Sequence, residues 1–138
     1  MTNTDLARRV ALSESACLRR LRALETAGVI RRYAAVINER AVGLPISVFV
    51  TVTLSSQSEA ALSAFEQAVA AVPEVMECYL MTGDSDYLLR VVAPDLDAFQ
   101  VFLLQHLTKI PGVSSIKSSF ALKQVAYRTA LPLGHLEN

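Results

Sequence analysis

Eight arginines, Arg8, Arg9, Arg19, Arg20, Arg22, Arg31, Arg32 and Arg40, stand in the first forty residues against four acids, Asp5, Glu14, Glu25 and Glu39. That stretch carries +4, the other 98 residues carry −4, and the chain as a whole is neutral. Guanidinium groups grip phosphate oxygens and guanine edges through paired hydrogen bonds. A basic head on an acidic body is therefore the asymmetry of a chain that meets nucleic acid with one part and does something else with the other. A solvated charged face is the other meaning of arginines on a helix. The two-to-one excess over acids, and the frame in which the arginines sit, favour DNA.

That frame is a helix-turn-helix. Thr2 with Asp5 three residues on has the form of a capping box, and Asp5 lies favourably in the first turn of a short helix ending near Val10. Ala11-Leu12-Ser13 is the turn. Ser13 can cap a second helix that runs to about Ala27, where Gly28 supplies a left-handed stop. Cys17, Leu18, Leu21 and Leu24 fall on one apolar arc of that helix. Ser15, Arg19, Arg22 and Thr26 lie opposite the arc and Arg20 on its flank. A helix of about 21 Å at 1.5 Å per residue can thus pack by its leucines and present Ser15, Arg19, Arg20 and Arg22 to a major groove. Val29 to Ile37 reads as a strand or wing, whose Arg31 and Arg32 can touch phosphates or simply keep the surface soluble. Residues 1–36 form this head, and 37–45 a linker.

From Pro45 the periodicity changes to two. Ile46, Val48, Val50, Val52 and Leu54 alternate with Ser47, Phe49, Thr51 and Thr53, which predicts a strand with one strongly apolar face. Residues 57–72 return to helical spacing through Leu62, Phe65, Val69 and Val72. Val75 to Thr82 and Asp86 to Val92 read as strands around the turn Gly83-Asp84-Ser85. Pro94 and Asp95 open a helix through Leu96, Phe99, Phe102, Leu103 and Leu107, which Pro111-Gly112 stops. A last strand runs from about Val113 to Lys123, and the tail after Pro132 is expected to be frayed or held by a partner. The order βαββαβ over residues 46–138 describes a ferredoxin-like domain, so the fold class is α+β. Helices cover only one face of such a sheet, and the apolar groups on the other face predict a second subunit there.

With 52% hydrophobic residues and a mean hydropathy of +0.36, the chain can bury a core and is not of the disordered class. No apolar run approaches the roughly 20 residues of a membrane helix, and the start lacks the pattern of a secretory signal. Cys17 and Cys78 read as reduced core thiols of a cytoplasmic protein. With His106 and His135 they lack the spacing of a metal site. No nucleophile stands beside a base, and no carboxylate pair occurs beyond Asp84 and Asp86 in a turn. His106 reads as a surface or interface residue. No catalytic residue, metal or cofactor is expected, although the fold does not by itself exclude small-molecule chemistry.

Two segments resemble a known family. Thr4 to Tyr33, with Leu6-Ala7-Arg8-Arg9-Val10, Leu12-Ser13, Cys17-Leu18-Arg19-Arg20-Leu21 and Gly28-Val29-Ile30, resembles the DNA-binding half of the leucine-responsive and asparagine-responsive (Lrp/AsnC) transcription regulators. Glu77 to Leu89, with Gly83-Asp84-Ser85-Asp86 at its centre, is similar to that family's signature, and Leu107 to Val113 to its approach to the final strand. The resemblance implies a homodimer joined through the sheets, often gathered into tetramers or octamers, that binds double-stranded DNA. It also implies an amino-acid or similar effector held between dimers near the Gly-Asp-x-Asp turn. The matching positions are Leu80, Gly83, Asp84, Asp86 and Tyr87, with Ser118 and Ser119 on the last strand. Gly83 would allow close backbone approach, the carboxylates would bind an α-ammonium group, and turn N–H groups an α-carboxylate. The same four residues are also ordinary hairpin chemistry; Tyr87 and Leu80 suit a core or interface better than a ligand, and Asp86 is the side chain expected to meet one. The family's head has a further helix ahead of the helix-turn-helix, whereas Met1 stands about four residues before helix one. The sequence therefore implies a head without its leading helix, with Leu6, Val10, Leu18 and Leu21 partly open and DNA affinity weakened. An amino-acid-sensing oligomeric module without competent DNA binding is the alternative.

Overall fold

The capping groups that the sequence offers are used. In the computed structural model, which describes residues 2–136, Thr2 and Asp5 form the reciprocal capping box that starts α1 (Asn3–Arg9). The Ser13 hydroxyl accepts from the Ala16 N–H at 3.2 Å to start α2 (Glu14–Thr26). Between the two helices Ala11 takes a left-handed conformation, φ 56°, which costs an alanine about 1–2 kcal/mol and turns the chain sharply. Ala7 and Cys17 are buried where the helices meet, while Val10, Leu18 and Leu24 stay exposed. The chain leaves α2 through Gly28, φ 78°, and the Val29 and Ile30 N–H groups both donate to the Leu24 carbonyl.

The expected strand or wing over Val29 to Ile37 does not form. Among the described residues this segment has no ladder, because a strand needs a second strand and this part of the chain supplies none. The Tyr33 hydroxyl instead donates to Glu25 Oε1 at 2.8 Å, tying the segment back to α2. That bond to a carboxylate raises the Tyr33 phenol above its ordinary pKa.

The chain divides into two compact units, one up to Ile37 and one from Asn38. Met1 and residues 137–138, which begin the expected head and end the expected body, lie outside the described residues. The second unit opens with a 3₁₀ turn, Arg40–Val42, inside the stretch read as a linker. Then follow β1 (Ile46–Leu54), α3 (Glu59–Ala70), β2 (Val75–Leu80), β3 (Tyr87–Ala93), α4 (Leu96–Gln105) and β4 (Val113–Phe120). Each helix starts on a side-chain cap: Ser58 accepts from Ala61 N–H, and Asp95 from Ala98 N–H. A 3₁₀ turn, Leu107–Lys109, carries the chain from α4 toward Pro111-Gly112 and β4.

The strands lie antiparallel in the order β2-β3-β1-β4. Two residues opposite one another in such a ladder share a face. The rows Cys78, Leu89, Val50, Ser118 and Leu80, Tyr87, Val52, Ile116 therefore face the helices. The row Glu77, Arg90, Phe49, Ser119 faces away from them. On the helix side Val48, Val50, Val52, Leu89 and Val91 are fully buried against Phe65, Val69, Phe99 and Phe102, each worth about 1.5–3 kcal/mol of burial. The Phe65 and Tyr87 rings stack with centroids 4.5 Å apart, fastening α3 to the sheet. No α-helix of the described residues of this unit lies on the outward face; Phe49 at its centre is 39% exposed, and Arg90 is ion-paired there with Glu39.

Candidate functional site

In the first unit, the arginines of α2 stand in solvent. Ser15, Arg19, Arg20 and Arg22 are all exposed, as are Arg31 and Arg32 beyond the helix. None of the six has an acidic partner among the described residues. An acid clamped on a guanidinium would have to be displaced before a phosphate could bind. Ser15, at the N-terminal end of α2, lies 3.4 Å from the Ser13 hydroxyl. Their spacing puts Ser15, Arg19 and Arg22 on one stripe, and α2, about 20 Å long at 1.5 Å per residue, is of a size to lie in a major groove.

In the second unit the candidate residues around Gly83 divide into three groups. Gly83 takes φ 110°, a conformation closed to other residues without strain, and a side chain added there would meet nothing within 4 Å. The turn is thus open to solvent. Asp84 is exposed beside it, and Leu80, at the end of β2, is 61% exposed. These three are accessible to a ligand.

Asp86 is engaged differently. Its Oδ2 accepts from the Leu54 N–H at 2.7 Å and from Gln57 Nε2 at 3.2 Å, and its own N–H donates to the Val52 carbonyl at 2.9 Å. The same Gln57 amide donates to the Leu54 carbonyl at 2.9 Å. One carboxylate oxygen thus pins the β1–α3 loop to the β2–β3 hairpin, while the Met81 N–H closes that hairpin on the Asp86 carbonyl at 2.8 Å. Asp86 holds the loop geometry beside the turn.

Tyr87 is buried and faces α3, where its hydroxyl donates to Glu66 Oε2 at 2.5 Å. Burial, reinforced by the Glu66 carboxylate, pushes the phenol well above its ordinary pKa of 10.0. A group whose folded pKa is raised gives stability that is fully present below the unfolded value and is lost as the pH climbs toward the folded one. The stability of the parent protein is therefore expected to fall more steeply than that of Tyr87→Phe between about pH 9 and pH 11. Urea denaturation at each pH reads the difference, and parallel profiles would remove Tyr87 as the cause.

A cavity of about 340 Å³ opens between α3 and β2, lined in part by Glu66, Val69, Met76, Cys78, Leu80 and Tyr87. Leu80 and Tyr87 are register partners, so both border this cavity, but only Leu80 is open to solvent. Cys78 is half-buried, not the core thiol the sequence suggests, and burial next to Glu66 raises its pKa. Cys17 is fully buried.

Ser118 and Ser119 do not join the turn within one chain. They lie on β4, separated from β3 by β1, opposite Val50 and Phe49, whereas the hairpin end of the sheet is at Val52. As neighbours on a strand they also point to opposite faces. Only a second chain could bring one of them to the Gly83 turn of the first. Gln57, Glu66 and the Glu39–Arg90 pair carry no signal in the sequence, because each acquires its role through a partner more than twenty residues away.

Similarity to known proteins follows both units. A family profile described as "Lrp/AsnC ligand binding domain" matches residues 47–131, and one described as "Winged helix-turn-helix DNA-binding" matches residues 1–31. The chain is 50% identical over 129 residues to the Bkd operon transcriptional regulator of Pseudomonas aeruginosa, covering 94% of this chain and 84% of that protein. It is 42% identical to a leucine-responsive regulatory protein of Rhizobium meliloti, over 91% of this chain and 80% of the relative. Among solved structures, the Neisseria meningitidis transcriptional regulator NMB0573 in complex with L-Met superimposes with a TM-score of 0.93 at 42% identity, covering 99% of this chain and 88% of that one.

Proposed function

Because the chain belongs to the Lrp/AsnC family of transcription regulators, we propose that its α2 reads a pseudo-palindromic operator while its second unit answers to a free amino acid. It is a DNA-binding regulator and not an enzyme. The observation that carries the DNA half of the reading is the set of exposed arginines on the stripe opposite the leucines of α2, without an acidic partner among the described residues. Ser15 and one or two of Arg19, Arg20 and Arg22 contact base edges, and the remaining arginines, with Arg31 and Arg32, contact phosphates. Two heads on a dimer read two half-sites, and effector binding changes how dimers assemble and so the spacing of heads along DNA. The protein acts in the cytoplasm.

The effector reading rests on the open Gly83 turn. Asp84, the free Oδ1 of Asp86 and Leu80 supply an anionic and apolar rim suited to an ammonium group on an aliphatic stem. Ser118 or Ser119 of another chain completes the site between dimers, and Tyr87 supports the rim from inside the core. The L-Met held by the Neisseria regulator makes an amino acid the class of ligand to test. Screening the purified protein by thermal shift against the twenty amino acids at millimolar concentration is expected to single out one or a few. A ligand at 100 times its Kd stabilises by about 2.7 kcal/mol. Absence of a shift with any of them would turn the reading toward a regulator without an amino-acid effector.

A further inference from the structure

The segment that follows α2 is tied to that helix at two points. At its start Gly28 takes φ 78°, and the Val29 and Ile30 N–H groups share the Leu24 carbonyl at 2.9 and 3.2 Å. Further on, the Tyr33 hydroxyl donates to Glu25 Oε1 at 2.8 Å, eight residues back on α2. Arg31 and Arg32 lie between the two ties, and both are exposed. From residue 31 to residue 37 no other hydrogen bond forms among the described residues. Burial holds this stretch little, since Val29 and Tyr33 are 70% and 68% exposed. The position of the two arginines against α2 therefore depends on the bond between the phenol and the carboxylate. Glu25 itself stands in the last turn of α2, where the helix dipole disfavours an anion and nearby phosphates would too. Neither helix stability nor DNA accounts for an acid there, and the bond to Tyr33 gives it a role.

We propose that the Tyr33–Glu25 bond is a clasp that holds Arg31 and Arg32 beside the arginine stripe of α2, so that Tyr33 and Glu25 are positioning residues for DNA binding. This rests on the reading of α2 as the helix that meets DNA, and adds two residues that act through the arginines. A segment tied at one end only explores many positions, and all but one are given up when its arginines meet phosphates. A segment already closed has given them up on folding, so less affinity is lost on binding. The residue types suit the task. A tyrosine has few rotatable bonds to immobilise, and a carboxylate is the stronger kind of acceptor. A lysine at position 33 could make the same tie, but its charge would be drawn off Glu25 by a phosphate. The neutral phenol keeps its partner in the field of the DNA.

Tyr33→Phe in the full chain tests this, because it removes one oxygen from an exposed ring. A bond of this kind favours the closed segment about 5-fold, and that ratio bounds the loss for one head. Two heads on one operator multiply it, to about 25-fold at most. Operator binding by fluorescence anisotropy is therefore expected to weaken by about 5- to 25-fold, and binding to a scrambled duplex to weaken as well, as phosphate contacts require. In a chain that already carries Arg31→Ala and Arg32→Ala, the same substitution is expected to cost nothing further, since the groups it positions are gone. Amide ¹⁵N relaxation reads the clasp without DNA. Order parameters at Arg31 and Arg32 are expected to fall from about 0.85 toward 0.6 in Tyr33→Phe and in Glu25→Ala. In Glu25→Gln, whose amide oxygen still accepts from the phenol, they should stay at the parent's values. Unchanged order parameters in Tyr33→Phe, or unchanged binding to both duplexes, would overturn the clasp and leave the reading of α2 standing. A loss that persists without Arg31 and Arg32 would overturn it too: Glu25, once released, would then be pairing with Arg22 three residues before it on the helix. A parent that binds neither duplex overturns the reading of α2 and the clasp together.

Discussion

Asp86→Ala is expected to lower the unfolding free energy of the second unit by about 1–3 kcal/mol, and to abolish the amino-acid response with it. The carboxylate gives one oxygen to two donors, the Leu54 N–H and the Gln57 amide, at the point where the β1–α3 loop meets the β2–β3 hairpin. Alanine leaves the Leu54 N–H unmatched, while the Gln57 amide keeps its bond to the Leu54 carbonyl. The Leu54 N–H lies in a part-buried strand end, where water replaces the lost acceptor poorly. Hydrogen bonds to a charged group are the stronger kind, so the loss belongs in the upper half of the range. Asp86→Asn separates the two roles of the residue. Its side-chain oxygen can still accept from Leu54, so stability should return to within about 1 kcal/mol of the parent, whereas an ammonium group would find no charge. Urea denaturation and isothermal titration with the effector read the two quantities independently. An Asp86→Asn protein that is stable and binds as the parent does would confine Asp86 to holding the loop, and pass the ammonium contact to Asp84.

The second large effect falls on DNA. Replacing Arg19 and Arg22 together by alanine is expected to weaken operator binding by about 1–3 kcal/mol for each arginine that reads a base, a total on the order of 10²- to 10⁴-fold. These side chains stand one above the other on the stripe opposite the leucines and have no acid to release first among the described residues. Their removal therefore subtracts contacts to DNA without exposing a partner. Both side chains are exposed, so the head should unfold at the parent's midpoint. Fluorescence anisotropy on the operator and on a scrambled duplex, each over a range of salt, distinguishes the kinds of contact. Base readers lose affinity for the operator selectively. Phosphate contacts lose it on both duplexes and flatten the salt dependence by roughly one unit of slope per contact. Unchanged binding to both duplexes would mean that another surface of the head meets DNA.

Much of the architecture can be read from the residues because its causes are local. Thr2, Ser13, Ser58 and Asp95 lie at helix starts and cap them; a cap needs only its own next three residues. The alternation Val48, Val50, Val52 and Leu54 sets the buried side of β1 before any partner is known, since a strand's side chains change face at every step. The left-handed Gly28 and Gly83 follow from the missing Cβ. The βαββαβ order and the basic stripe of α2 follow from the same short-range periodicities.

What the tertiary structure decided depends on partners far along the chain. A wing over Val29 to Ile37 has acceptable strand residues, but among the described residues no second strand comes to meet them, and Tyr33 binds Glu25. Among the candidate effector residues, the sequence sets Asp86 first and gives Tyr87 and Leu80 to a core or interface, with no sign of what each will touch. Register makes them unlike: Asp86 is drawn onto Leu54 and Gln57, and Tyr87 is turned into the core toward Glu66, leaving Asp84 and Leu80 to the solvent. Ser118 and Ser119 are split between the two faces of the sheet by the period of β4. Periodicity fixes which side of an element is apolar, within a few residues and with no knowledge of the rest. Which groups then meet is set by strand register and helix packing, and those contacts join residues whose separation in the chain no local pattern encodes.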